Sequence, residues 1–122
     1  MPRRPVILAL ALAICALAHP HARAQQAWPN RAVKILVPFA PGGAIDVMAR
    51  LLSARLQDNL KVPVIVENRG GVGGVLGSDY VAKQPADGYT ILFNTNGHAI
   101  APATFKSLPF DPFRDFTPVT QL

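Results

Sequence analysis

The stretch Lys34-Ile35-Leu36-Val37-Pro38-Phe39-Ala40-Pro41-Gly42-Gly43-Ala44-Ile45-Asp46-Val47-Met48-Ala49-Arg50 decides how this chain folds: an apolar run breaks on prolines into paired glycines and then opens a helix. With Val33 it reads as a near-continuous apolar strand over 33–37, the pattern of a strand buried on both faces of a parallel sheet and therefore central. Beyond the glycines, Ile45, Met48, Ala49, Leu52, Leu56 and Leu60 fall on one helical face, which is expected to pack on that sheet. Gly42 and Gly43 let the backbone turn sharply between the two elements. The next N–H groups belong to a helix start, unsatisfied and at the positive end of the helix dipole, so a carboxylate or phosphate fits there. The plainer alternative is an ordinary strand–turn–helix joint. Asp46, in the first turn, reads either as a cap on those N–H groups or as part of a cation-reading wall. Arg50, four residues later, pairs with it in the favourable order, expected at the surface.

Working toward the C-terminus, Val62-Pro63-Val64-Ile65-Val66 reads as a second strand, with Pro63 at its start or on an edge. Glu67-Asn68-Arg69 then leads into Gly70-Gly71-Val72-Gly73-Gly74-Val75-Leu76-Gly77. The residues argue against a dinucleotide loop: a G-x-G-x-x-G starting at Gly71 and Gly73 needs glycine where Leu76 stands, and the following strand ends in Asn94-Thr95-Asn96 with no acid for a ribose. A tight turn and a helix packed closely on its sheet account for the same glycines. That helix is expected over 72–84, ending before Pro85, with Ala86-Asp87-Gly88-Tyr89 as a turn and a third strand over 90–93. Asn94-Thr95-Asn96-Gly97-His98 follows as a polar loop, either an exposed turn or one more wall of a site. Strand–helix–strand–helix–strand predicts an α/β fold of three parallel strands with flanking helices, all three loops opening at one carboxyl edge. One crevice then collects Gly42 and Gly43, the 70–74 loop with Gly73, and the 94–98 loop with Asn94, Thr95, Asn96 and His98. Such groups hold an oxygen-rich anion. They are poor at chemistry: there is no Gly-x-Ser-x-Gly elbow, no evident nucleophile–base pair and no carboxylate cluster, so binding is favoured over catalysis.

The N-terminus reads differently from the rest. Arg3 and Arg4 precede an uncharged apolar run over 6–18 and a small-x-small site at Ala22-Arg23-Ala24, the organisation of a secretory signal peptide over 1–24. The run is too short to span a bilayer, which takes roughly 20 residues. The Arg pair sits in Pro-Arg-Arg-Pro, without the neighbours of a twin-arginine signal, and Ile14 stands where a lipoprotein box needs a small residue before Cys15. Cleavage after Ala24 leaves 98 residues and lowers the formal net charge from +5 to +2. The only cysteine, Cys15, leaves with the signal, and with it any disulfide, thiol nucleophile or Cys-based metal site. His19 and His21 also leave, and His98 alone cannot build a metal site. The remaining basic residues are scattered, which argues against nucleic acid.

Several of these segments, in register from Trp28 to the last residue, resemble the Bug family, the extracytoplasmic solute receptors of tripartite tricarboxylate transporters. They are Trp28-Pro29; Val37-Pro-Phe-Ala-Pro-Gly-Gly-Ala-Ile-Asp46 with Ala49-Arg50; Val64-Ile-Val-Glu-Asn-Arg69 and its glycine loop; Asp87-Gly-Tyr-Thr90; Leu108-Pro-Phe-Asp111; and Asp115-Phe116-Thr-Pro-Val119. The resemblance implies a periplasmic-binding-protein fold of type II, two hinged domains closing on a small carboxylate without a cofactor. It also implies a periplasmic location and two integral membrane transporter subunits as partners, or service as a sensor; the receptor is expected to be a monomer. Carried over by position, the backbone of Gly42, Gly43 and Ala44 together with Asp46 fall in the first pocket loop, and Thr95, Asn96 and His98 in the loop after the third strand. The loop carrying Gly73 departs from the family's Pro-Gly-Ala-Gly-Gly pattern. Family members are much longer, so residues 25–122 are expected to be an incomplete N-terminal lobe of a truncated or fragmentary receptor, marginally stable alone. The alternatives are a non-functional truncated product and a small exported α/β enzyme acting on an anionic substrate.

Overall fold

The computed structural model describes residues 27–122, so the signal-peptide assignment lies outside the described residues. Strand β1 (Val33–Val37) is central, as its apolar run predicts, and pairs in parallel with β2 (Val64–Asn68) on one side and β3 (Thr90–Leu92) on the other. The register sets Ile35 opposite both Val66 and Ile91. Helix α1 (Ala44–Leu60) links β1 to β2, α2 (Val75–Ala82) links β2 to β3, and α3 (Gly97–Thr104) follows β3.

The pleat of β1 assigns the two helices to opposite faces. Val33, Ile35 and Val37 form one buried cluster with Ala49 of α1 and Val64, backed by Leu52, Leu56 and Val66. Leu36 and Pro38, one residue out of phase, are buried on the other face, where Pro38 lies against Gly77 of α2. Each fully buried Val, Leu or Ile contributes about 1.5–3 kcal/mol of apolar transfer, so this double-sided strand is the core of the domain. On the β3 side the Arg31 guanidinium lies 4.0 Å from the centre of the Tyr89 ring and pairs with Asp87, while Trp28 packs against the same tyrosine.

Four elements differ from the sequence expectation. β2 starts at Val64 instead of Val62, because Lys61 ends α1 in a left-handed conformation and Val62 and Pro63 are used in the turn; the Pro63 carbonyl still accepts the Val33 N–H. β3 ends at Leu92, one residue early, although Phe93 still donates to the Leu36 carbonyl. α2 starts at Val75 because residues 71–74 all have positive φ, which no right-handed helix accommodates. α3 stands where the sequence reading has only a polar loop over 94–98; the helix contains Pro102 and is only two turns long, and Phe105 N–H still closes on the Ala101 carbonyl.

Candidate functional site

The strand order β2-β1-β3 makes the carboxyl edge between β1 and β3 a switch point: α1 leaves toward β2 over one face while α2 crosses the other. Loops that diverge in this way leave a crevice at the strand ends, where ligands of open α/β sheets bind.

The loop after β1 is held by one buried carboxylate. Asp46 is only 3% exposed. Its Oδ2 accepts the Gly42 N–H at 2.9 Å and Arg50 Nε at 3.0 Å, and its Oδ1 accepts Asn68 Nδ2 at 2.9 Å. Asn68 Nδ2 also reaches the Phe39 carbonyl at 3.2 Å, and Arg50 reaches back to Asn68 Oδ1 at 3.2 Å. The Arg50 guanidinium first, then the Gly42 N–H and the Asn68 amide, pull the Asp46 carboxyl down to about 2. The pair expected at the surface is thus half interior. Asp46 does not cap the first turn; it folds back on Gly42, whose φ of 87° suits glycine. Both carboxylate oxygens are occupied and Arg50 balances the charge. Gly43 caps α1 with extended backbone alone, no side chain takes the first helical N–H groups, and Gly43 and Ala44 are exposed. An uncapped helix start facing solvent at a strand end is a ready anion site.

The loop after β2 touches the first: Gly74 lies against the Phe39 ring and Gly70 against the Ala40 backbone. Val72 sits in it at φ 47° with 60% of its surface exposed. A β-branched residue in the left-handed region is strained, while asparagine tolerates that conformation. Val72→Asn is therefore expected to stabilise the chain by about 1 kcal/mol in urea denaturation; a loss of stability would contradict the strain.

The loop after β3 is organised by Asn94. Its Oδ1 accepts the Thr95 N–H at 2.8 Å, and its Nδ2 donates to Ser78 Oγ at 3.2 Å and faces His98 Nδ1 at 3.4 Å. Thr95 Oγ1 accepts the Gly97 N–H at 3.1 Å, which leaves its hydroxyl proton free to donate. Asn96 is exposed at the N-terminus of α3. His98 lies on α3, turned to the C-terminal segment: Nε2 meets the Pro112 carbonyl at 3.2 Å, and the ring packs against Phe110 and Phe116. Gly73, Gly74, Ser78, Asn94 and His98 line one recess of about 10 Å³, room for a single water.

Of the residues singled out in the sequence, Gly42 and Asp46 are therefore bonded to each other, Gly43 and Ala44 form the exposed start of α1, Gly73 and His98 share the small recess, and Thr95 and Asn96 stand beside it. Asn68 and the buried Ser78 were missed, and Asn94 was read only as a member of the 94–98 loop. The only sequence signal for the two asparagines is an amide at the last position of, or just beyond, a strand that leads into a polar loop. Among the described residues no group of three or more His, Cys, Asp or Glu side chains converges on a metal position, and no helix is long and apolar enough to cross a membrane.

Comparison with known proteins gives a consistent result. Residues 48–122 match the model of the tripartite tricarboxylate transporter family receptor. The protein BugT of Bordetella pertussis is 39% identical over 124 residues, covering 100% of this chain and 37% of BugT. Among solved structures, the periplasmic binding protein BugD superposes with a TM-score of 0.72 at 41% identity, over 75% of this chain and 30% of that one. MatC of Rhodopseudomonas palustris, with bound malate, gives 0.67 at 41% identity, over 75% of this chain and 32% of that one. The chain spans about a third of the length of the curated relatives it matches.

Proposed function

Because the chain belongs to the tripartite tricarboxylate transporter receptor family, we propose that residues 25–122 form the first lobe of a periplasmic solute receptor and supply that lobe's share of a site for a small carboxylate. The observation that carries this reading is the uncapped, exposed start of α1 at the β1–β3 switch point, its position fixed from behind by Asp46. A carboxylate placed there accepts the N–H groups of Gly43 and Ala44, with the Thr95 hydroxyl and the Asn96 amide across the crevice. Water bridges fill the remaining distance. Asp46 acts as a positioning group: its oxygens are occupied, and Arg50 offsets the repulsion it would otherwise exert on an anion. MatC binds malate, which makes a C4 dicarboxylate the first ligand class to test. We further propose that the receptor is exported through the 1–24 signal peptide, acts as a monomer and delivers its ligand to integral membrane transporter subunits.

The test is ligand-observed NMR on the 122-residue chain with malate, succinate and their diamides. Line broadening of the dicarboxylates, relieved by competition between them and absent for the diamides, is the expected result. Equal behaviour of acids and diamides would overturn the reading, because the site is argued from charge at a helix start.

A further inference from the structure

The hydrogen bonds around Asn94 determine more than the shape of one loop. Thr95 N–H is a donor, so the Asn94 atom that meets it is the carbonyl Oδ1, and the two protons of Nδ2 are directed at Ser78 Oγ and His98 Nδ1. His98 Nδ1 must then offer a lone pair, and Nε2 carries the proton that it donates to the Pro112 carbonyl. A backbone amide thus dictates the tautomer of a histidine three residues away. The ring is further confined by Phe110, stacked at 5.9 Å, and by Phe116, edge-on at 4.8 Å.

We propose that Asn94 is a positioning residue of the crevice whose setting depends on the proton at His98. A second proton on His98 goes to Nδ1 and meets the Asn94 amino group, donor against donor. Relief comes when the amide turns over and gives Oδ1 to Nδ1–H. That movement releases the Thr95 N–H and reverses the bond to Ser78, whose hydroxyl, 1% exposed, must turn from acceptor to donor. The third crevice loop is therefore held in the observed form while His98 is neutral and loosened in acid.

The charged groups on the elements packed around His98 have partners of their own, one oxygen excepted. Asp111 accepts the Phe113 and Arg114 N–H groups, Asp115 accepts the Asp111 N–H, and Asp79, next to Ser78 on α2, pairs through Oδ2 with Lys83 while its buried Oδ1 has no hydrogen-bond partner. Arg114 lies near Asp111, and α3 itself carries no charged side chain. The proposal rests on the crevice reading for its functional meaning, but its test needs no ligand.

The experiment is nitrogen-15 NMR of the His98 imidazole and the Thr95 amide across a pH series, on the full chain and on Asn94→Asp. In the wild type, neutral His98 is expected as the Nε2–H tautomer, with the Thr95 amide moving at the same midpoint as the ring. In N94D the new carboxylate accepts both Thr95 N–H and Nδ1–H, so the proton affinity of His98 rises about tenfold or more. The Thr95 amide then stops following the ring. Should N94D fail to fold, His98→Gln serves instead: it removes the titrating group and is expected to flatten the Thr95 response. A wild-type Nδ1–H tautomer, a Thr95 amide that ignores the ring, or an unchanged His98 midpoint in N94D would each overturn the proposal. None of these outcomes bears on carboxylate binding at α1, so the two readings fail separately.

Discussion

Gly77→Ala is expected to destabilise the domain by about 2 kcal/mol net, although alanine is the better helix former. A Cβ at this position stands 2.5 Å from the Arg69 carbonyl oxygen, 2.7 Å from Pro38 Cβ and 2.9 Å from Pro38 Cα. Two of those three atoms are backbone, and the third belongs to a proline ring, so none moves out of the way cheaply. Overpacking of this kind costs about 1–3 kcal/mol, and with rigid neighbours on two sides the upper end applies. The gain in helix propensity, about 1 kcal/mol, offsets only part of it. The consequence reaches the crevice, because Pro38 begins the loop that leads to Gly42. Gly43→Ala is the control: the nearest atom to its Cβ is the Ala40 carbonyl oxygen at 3.8 Å, so its stability should change little. Urea denaturation of both variants checks the pair, and a Gly77→Ala protein within about 0.5 kcal/mol of the wild type would contradict close packing of α2 on β1.

The second large effect is on acid stability. The Asp46 carboxyl titrates at about 2 in the folded chain and near 3.9 when unfolded. A folded value below the unfolded one means that the ionised form is stabilising. Its contribution is fully present above pH ~4 and is lost as pH falls through about 2. Glu67, lowered by Lys34 and Arg69, and Asp111, lowered by the Phe113 and Arg114 N–H groups, act in the same direction, so removing Asp46 makes the acid limb shallower without abolishing it. Asp46→Asn has a second consequence. It leaves one acceptor where donors converge on both carboxylate oxygens, so either the Gly42 and Arg50 donors or the Asn68 amide meets an amino group, and the first loop is held less firmly. Stability measured from pH 6 to 2, together with hydrogen exchange at Gly42, should show a flatter acid limb and a faster-exchanging amide in D46N. An unchanged limb with an unchanged Gly42 would mean that the carboxylate does not hold the loop.

What was legible in the sequence follows a physical division. β1 and α1 were readable because burial on both faces leaves a continuous apolar run, and a helix on a sheet leaves a one-sided stripe. Periodicity reports burial, and it failed where burial was decided by something else. Met48 shares the apolar stripe yet is 44% exposed, while Asp46, charged and expected outside, is buried because Arg50, Asn68 and the Gly42 N–H satisfy it together. Asn68 supplies part of that satisfaction from 22 positions away, and no local pattern announces a partner so distant. The glycine loop divides in the same way: its composition marked a turn and close packing, but not that Gly77 provides the close packing while residues 71–74 reverse the chain with positive φ. His98 read as a crevice group because it follows a strand end; it lines the small recess with Gly73 and Asn94, and what the sequence did not show is that α3 also sets its ring against Phe110, Phe116 and Pro112.

The central claim is that the start of α1 is the carboxylate subsite. Residue-resolved amide NMR of the chain titrated with malate tests it most directly. Saturable shifts of the Gly43 and Ala44 amides, accompanied by Asn96 and with the β1 amides still, are the expected result. Saturable shifts confined to other parts of the chain, with Gly43 and Ala44 unmoved, would contradict it.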